Sequence, residues 1–347
     1  MKKGRLQLIL ALLVSVGLLS FLLWYIGVQS TFHEVSQIDP LYLLLALALT
    51  PLSFSLRTFR WKLIVKSCND TETLIPFSNF LRLNLYGVYG GVITPAKIGD
   101  VLRAVYLSKE KSRVSLGVSF FSVVFDRLLD ILALISIFVF SLMLISINLD
   151  SVVLLIVFLF ALFVVGGVLF LMSERLSRRI WEKLIDVACK RISILNQSRD
   201  GLNASIDDFY KAVGRIRKNS KALVLAFSIA LITWTIFYIQ AYLLLRGLNV
   251  DNVPFFAVVF AFSLGSLAVL VPVTFGGLGT RDATVYLILS QFDVSGESSL
   301  VATITLALIA IWILAIIGGI LLGLRLKVQP TEKEIEKKDT TDLFLSN

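Results

Sequence analysis

Apolar runs of about twenty residues, long enough to cross a hydrocarbon core of roughly 30 Å, recur along this chain between short polar stretches. The first run predicts a helix at about 6–27, leading to a loop at 28–39 that has no Lys or Arg. A second helix, at about 40–57, returns to "RTFRWKLIVK", where Arg57, Arg60, Lys62 and Lys66 gather. Further helices are expected at about 114–147, 151–172, 222–245 and 299–324. Strands of a membrane barrel would be shorter and would alternate in polarity, a pattern absent here. The expected fold class is an all-α polytopic membrane protein with about six full spans.

Two apolar stretches interrupt this pattern. In "YGGVITPAKIGDVLRAVYL" the backbone is broken by Gly90, Gly91, Pro95 and Gly99, and Lys97, Asp100 and Arg103 add charge. In "LAVLVPVTFGGLGTRDATVYLIL" the breaks are Pro272, Gly276, Gly277 and Gly279, followed by Arg281 and Asp282. Basic residues flank the first stretch at both ends, whereas the second ends at "DVSGESS", with Asp293 and Glu297 and no Lys or Arg. The positive-inside rule then puts both ends of 77–107 in the cytosol and both ends of 254–292 outside. Each stretch crosses an even number of times, so each is expected to be a re-entrant hairpin, buried where protein or a wet cavity satisfies its backbone. Residues 40–147 and 222–324 both run helix, hairpin, helix, in opposite orientations. Such an inverted repeat with interrupted segments points to a transporter's substrate site.

The remaining organisation follows from the same count of sides. Residues 1–39 form an N-terminal helix and external loop, and 148–221 a connecting helix and a basic cytosolic segment. Within that segment Leu176, Ile180, Trp181, Leu184, Ile185 and Ala188 recur at helical spacing. They suit an amphipathic helix on the inner leaflet or a helical loop packed on the bundle. The tail at 325–347 is short, mixed in charge and expected to be disordered. Both termini are expected in the cytosol, the membrane being the cytoplasmic one. The run after Lys2, Lys3 and Arg5 is longer than a signal-peptide core, which favours a retained helix.

Composition agrees: 57% of the residues are hydrophobic and 16% charged, and the mean hydropathy is +0.86. The formal charge of +9 invites nucleic acid, but Lys and Arg sit beside the apolar runs on one side rather than on a soluble basic face. His33 is the single histidine, which removes His-rich metal sites and Ser-His or Cys-His catalytic pairs. Cys68 and Cys189 fall in predicted cytosolic segments, so no disulfide is expected. "FGGLGT" lacks the Gly-Lys-Ser/Thr of a nucleotide loop. No metal or cofactor is expected, and any transport would be gradient-driven or facilitated exchange.

"FDRLLDIL" places Asp126, Arg127 and Asp130 about 18 Å into a helix. Each charge opposes insertion by about 2.5–3.5 kcal/mol at a helix centre, so the three must face the bundle interior or a wet cavity. Arg127 can pair with Asp130 three residues on. The group is either a buried ionic clasp reaching Lys97 or Arg103, or a direct contact for substrate or protons. Lys97, Arg103 and Arg281 lie where broken helices resume, and free N–H groups and the helix dipole there favour an anion. They make a phosphate seat, or they snorkel to the interface.

In order along residues 6–324, "RTFRWKLIV", "TPAKIGDVLRAVYL", "VFDRLLDILAL" and "VPVTFGGLGTRDA" resemble the transmembrane region of the lysylphosphatidylglycerol synthase family, also described as flippase-like. The resemblance implies a membrane domain that moves lipids or lipid-linked groups between leaflets. Full synthases append a soluble aminoacyl-transferase domain, and some archaeal relatives a glycosyltransferase domain. The stretch 173–221 is too short for either, so the resemblance does not make the chain a synthase, and whether it is an enzyme stays open, with a non-enzyme favoured. Family members usually carry Glu where Asp100 and Asp282 stand, which keeps the charge and shortens the reach.

The expected function is a lipid translocase or transporter for an anionic lipid or polyprenyl-phosphate carrier. Lys97, Arg103 and Arg281 would hold its head group. Asp100, Asp126, Asp130 and Asp282 would pair with them or respond to protons, and Arg127 would tether its helix. The rival is a membrane-embedded transferase for lipid-linked sugars or aminoacyl lipids, or a scaffold for a separately encoded transferase. A homo-oligomer is compatible with either.

Overall fold

A computed structural model describes residues 20–21, 24–69, 75–94, 99–110, 114–145, 162, 166–167, 173–174, 178, 199–269 and 279–328. Among the described residues the chain is helical, and four helices are long and apolar enough to cross a membrane. Most of the expected spans at 6–27 and 151–172, the amphipathic positions 176–188 and the tail beyond 328 lie outside the described residues.

Helix α1, Val28–Ser36, occupies most of what reads as an external loop. It is held by one stretch late in the chain: Ser298 donates to the Glu34 carboxylate at 2.6 Å, and Gly296 packs against Ile26 just before the helix. Helix α2, Pro40–Cys68, starts where Asp39 accepts from the Leu41 N–H at 2.8 Å and Pro40 supplies a preset φ at the first turn. It does not stop near residue 57. It continues through the basic cluster because Trp61, Ile64, Val65 and Cys68 keep a buried face at helical spacing.

The first interrupted stretch forms α3, Phe77–Ile93, and α4, Val101–Lys109. Thr94 bridges the break: its hydroxyl donates to the Gly90 carbonyl at 2.7 Å and accepts from the Gly99 N–H at 2.7 Å. The two arms touch backbone to backbone, since a Cβ on Gly99 would lie 2.0 Å from the Gly90 oxygen. Only a residue without a side chain permits that approach. Helix α5, Leu116–Leu144, is capped by Ser115, which accepts from the Val118 N–H.

Helix α6, Arg199–Lys218, packs on α5 through a face of Phe209, Tyr210, Ala212, Val213 and Ile216. This described part of the basic segment is therefore docked on the bundle. Helix α7, Ser220–Gly247, is followed by the second interrupted stretch, α8, Phe255–Ala268, and α9, Thr280–Leu289. The last span is α10, Gly296–Ala307, a π turn at Leu308–Trp312, and α11, Ile313–Val328. It runs four residues past the expected end at 324.

Each half thus has the order long helix, short helix, break, short helix, long helix. The short helices have 17 and 9 residues in the first half and 14 and 10 in the second. All four fall short of the roughly twenty needed to span. The opening helices of the two halves, α2 and α7, pack along each other. The closing helices are exchanged: α3 lies on α11 of the other half, and α8 lies on α5. Small residues allow the first of these approaches, Gly318 resting on the Leu85 backbone and Gly319 on Tyr89, as close packing between membrane helices requires.

Candidate functional site

Three elements of the first half bring their charges to one place. Helix α5 contributes Asp126, Arg127 and Asp130, α2 contributes Arg60, and the broken stretch contributes Asp100 and Arg103. The six alternate in sign. Arg127 Nε lies 2.6 Å from Asp100 Oδ2, an ion pair without hydrogen-bond alignment, and Arg127 also donates to Asp130 Oδ2 at 3.0 Å. Arg60 joins the next two acids, donating to Asp130 Oδ1 at 2.7 Å and to Asp126 Oδ1 at 2.8 Å. The far oxygen of Asp126 accepts from Arg103 at 2.7 Å.

Arg103 then reaches the neutral end of the row. It donates to Asn84 Oδ1 at 3.2 Å, Asn84 donates to Thr58 at 2.9 Å, and Thr58 donates to the Phe54 carbonyl. The Arg103 guanidinium also stands 4.8 Å from the Trp61 ring centre, and the Trp61 indole donates to Ser122 at 3.0 Å. Arg60, Arg103 and Asp126 are each 0% exposed. Charges so far from water survive only when paired and hydrogen-bonded, and here Asp126 and Asp130 each have a cation on each oxygen while Asp100 has Arg127.

The clasp, one of the two readings of this group, is present between α5 and the broken stretch through Arg103; Lys97, Pro95, Pro272, Gly276 and Gly277 lie outside the described residues. The centre of the clasp is Arg60, which the sequence pattern presents as a mark of the cytosolic interface. Charge counting could have found it: Asp100, Asp126 and Asp130 exceed Arg103 and Arg127 by one, and Arg60 lies on the buried stripe of Trp61 and Ile64.

The second break is built differently. Gly279 adopts φ +84°, and its N–H donates to the Asp282 carboxylate at 2.9 Å, so α9 is capped by its own third residue. Arg281 donates to the neighbouring Asp282 at 2.9 Å and reaches the Thr303 carbonyl at 3.4 Å. Both side chains are buried. Gly90, Gly91 and Gly99 lie at the first break, while Arg281 and Asp282 belong to the second.

Between the two breaks lies a cavity of about 300 Å³. Gly91, Thr94 and Asp100 border it from the first broken stretch, and Ser266, Val269 and Arg281 from the second. Arg127 and Asp130 reach it from α5, Arg57 from α2, and Trp234 and Gln240 from α7. Gln240 is held in place, donating to the Ala46 carbonyl at 2.8 Å and to Thr50 at 2.9 Å. The volume is at the small end for ligand sites, roughly ten waters' worth. It accommodates a polar head group and not the whole of a two-tailed lipid. Among the described residues no group of three or more metal-ligating side chains is present.

Residues 8–318 match the family model of the lysylphosphatidylglycerol synthase transmembrane region. A UPF0104 membrane protein of Methanocaldococcus jannaschii is 27% identical over 346 residues, covering 97% of each chain. A UPF0104 membrane protein of Methanothermobacter thermautotrophicus is 25% identical over 320 residues, 89% of this chain and 93% of the relative. Another from Pyrococcus horikoshii is 22% identical over 332 residues, 90% and 95% of the two chains.

Proposed function

The chain belongs to the family of the lysylphosphatidylglycerol synthase transmembrane region, and from that premise we propose that it is a translocase moving an anionic lipid head group between leaflets. The observation that carries this reading is the cavity shared by the two broken stretches, walled by charged groups from both. Uncapped polar groups at membrane depth are costly, and a site for a charged head group gives them a use.

On this reading the two broken stretches are re-entrant hairpins of an inverted repeat, entering from opposite faces. The like order of elements in the two halves and the exchange of their closing helices support a two-fold relation between them. A head group held between opposed hairpins can be exposed to one side and then the other by rocking one half against the other. Binding in a small, walled site leaves the tails outside it, among the helices and lipid.

Leaflet exchange of a fluorescent phosphatidylglycerol in proteoliposomes tests the function, with dithionite quenching as the readout. Faster exchange than in protein-free vesicles is expected; an equal rate refutes the reading. The arrangement has a separate test. Single cysteines placed by Lys109→Cys and Gln291→Cys, both at exposed positions, are expected to label from opposite sides of the membrane. Labelling from one side removes the inverted arrangement.

A further inference from the structure

The alternating row of Asp100, Arg127, Asp130, Arg60, Asp126 and Arg103 is complete in itself, three acids against three cations. Arg57 is left over. It lies one turn before Arg60 on α2, and with Thr50, Ser53 and Phe54 it forms the face that this helix turns to the cavity. Among the described residues it makes no ion pair and no hydrogen bond, and its Nε is buried without an acceptor. Across the same cavity the buried indole N–H of Trp234 also lacks an acceptor. A guanidinium that feels Asp130 only at a distance, that carboxylate being already held by Arg60 and Arg127, and a second orphan donor in one cavity wall are costly unless something with acceptor oxygens meets them.

The sign and size of what is missing can be counted. Arg57, Arg60, Arg103 and Arg127 stand against Asp100, Asp126 and Asp130, and Arg281 against Asp282, so the described charges of the site sum to +1. One singly charged anion balances these described charges, Lys97 lying outside them. A phosphate monoester with two charges would overshoot beside three carboxylates. A zwitterion would bring a cation, and among the described residues lining the cavity both carboxylates, Asp100 and Asp130, are already paired. Two phosphodiester oxygens fit the planar fork of an arginine. The rest of the wall, with Phe54, Val92, Leu134, Phe237 and Leu314, suits the apolar continuation of a lipid better than a free ion in its water shell.

We propose that Arg57, with the Trp234 N–H as second donor, seats the phosphodiester of a singly charged membrane phospholipid in this cavity. This rests on the translocase reading but is tested by binding as well as by transport. The full chain, purified in detergent, is offered phosphatidylglycerol, phosphatidylcholine, phosphatidic acid at mildly alkaline pH, or inorganic phosphate. Retention is read by native mass spectrometry and by thermal stabilisation. The wild type is expected to retain phosphatidylglycerol in preference to the others. Arg57→Gln is expected to weaken that retention about tenfold or more, the effect of losing a charged hydrogen bond, and Arg57→Lys less, since it keeps the charge and loses the fork. Trp234→Phe, which keeps the aromatic packing, is expected to weaken it by a smaller factor and serves if the Arg57 variants do not elute as monodisperse protein.

Wild-type retention in both Arg57→Gln and Trp234→Phe overturns the seat. Preference for phosphatidic acid or phosphatidylcholine overturns the charge count. Stabilisation by inorganic phosphate alone, to which lipid adds nothing, reassigns the site to a free anion and overturns the lipid assignment. The two readings separate cleanly. Selective retention without leaflet exchange leaves the seat standing and removes the translocase, whereas exchange that Arg57→Gln leaves untouched does the reverse.

Discussion

At the first break the charges are tied outward, Asp100 to Arg127 of α5 and Arg103 to Asp126, and through Arg60 to α2. At the second, Arg281 and Asp282 are tied to each other and to the end of their own helix, with one longer bond to the Thr303 carbonyl. The same residue types at two matching breaks therefore do different work. The first stretch cannot shift against α2 and α5 without exposing buried charge. The second carries its pairing with it, and its displacement costs mainly packing. Rocking of one half against the other would thus fall to the second stretch, with the first as the fixed wall.

The largest effect expected is from Asp126→Asn. It leaves Arg60 and Arg103 each short of a carboxylate in the interior, at a cost of about 3–5 kcal/mol, read as loss of monodisperse protein or a large drop in detergent melting temperature. Asp282→Asn keeps an acceptor for the Gly279 N–H and strands one buried arginine, Arg281, instead of depriving two, so it should cost less, about 3 kcal/mol. Equal losses in the two would erase the contrast. Next comes Gly99→Ala, whose Cβ would press into the Gly90 backbone and is expected to cost about 1–3 kcal/mol in the same assay. In the second half, Gly265→Ala on α8 meets Val285 Cγ2 at 2.9 Å, Arg281 Cγ at 3.1 Å and the Arg281 carbonyl oxygen only at 3.3 Å. The two nearest are side chains that can turn aside, so the cost should be smaller. The smallest effect is expected from Glu110→Gln at the end of α4. Its carboxylate meets Arg82 at 3.1 Å and Arg325 at 3.3 Å with some solvent access, so the change should stay within about 1 kcal/mol. A loss as large as that of Asp126→Asn would place the anchor of the first stretch at its end rather than at its centre.

The ingredients of both breaks were visible in the sequence, though not the contrast between them. Charges inside an apolar helix announce themselves, and the spacing of Arg127 and Asp130 on one helix already implied their pairing. The glycines and prolines of both breaks were equally plain. Arg60 was not, because Lys62 and Lys66 beside it make the whole cluster look interfacial, and only the long-range partners on α5 show that its side chain turns inward. The partner of Arg103 was open for the same reason: reach from a break to a neighbouring helix depends on how the bundle packs. Local pattern shows where a helix begins and which face is apolar. It does not say that α3 lies on α11 and α8 on α5, since every such face is equally greasy. The capping of α9 by Asp282 is short-range, yet it requires the positive φ of Gly279, which sequence spacing alone does not supply.

The π turn at Leu308–Trp312 sits beside the cavity, with Ala310 and Ile311 in its wall. Such a turn holds one residue beyond an ordinary helical turn. It decouples the azimuth of Ser298, which faces Glu34 at one end, from that of Gly318, which faces Leu85 at the other. Deleting one residue there would heal the ladder and leave both faces where they are, whereas the same sequence wound as a regular α-helix would twist everything beyond it by about 100°, swinging Gly318 off its rest. The wide turn is therefore a phase-setter: it lets one continuous rod keep two appointments that a regular spiral would miss.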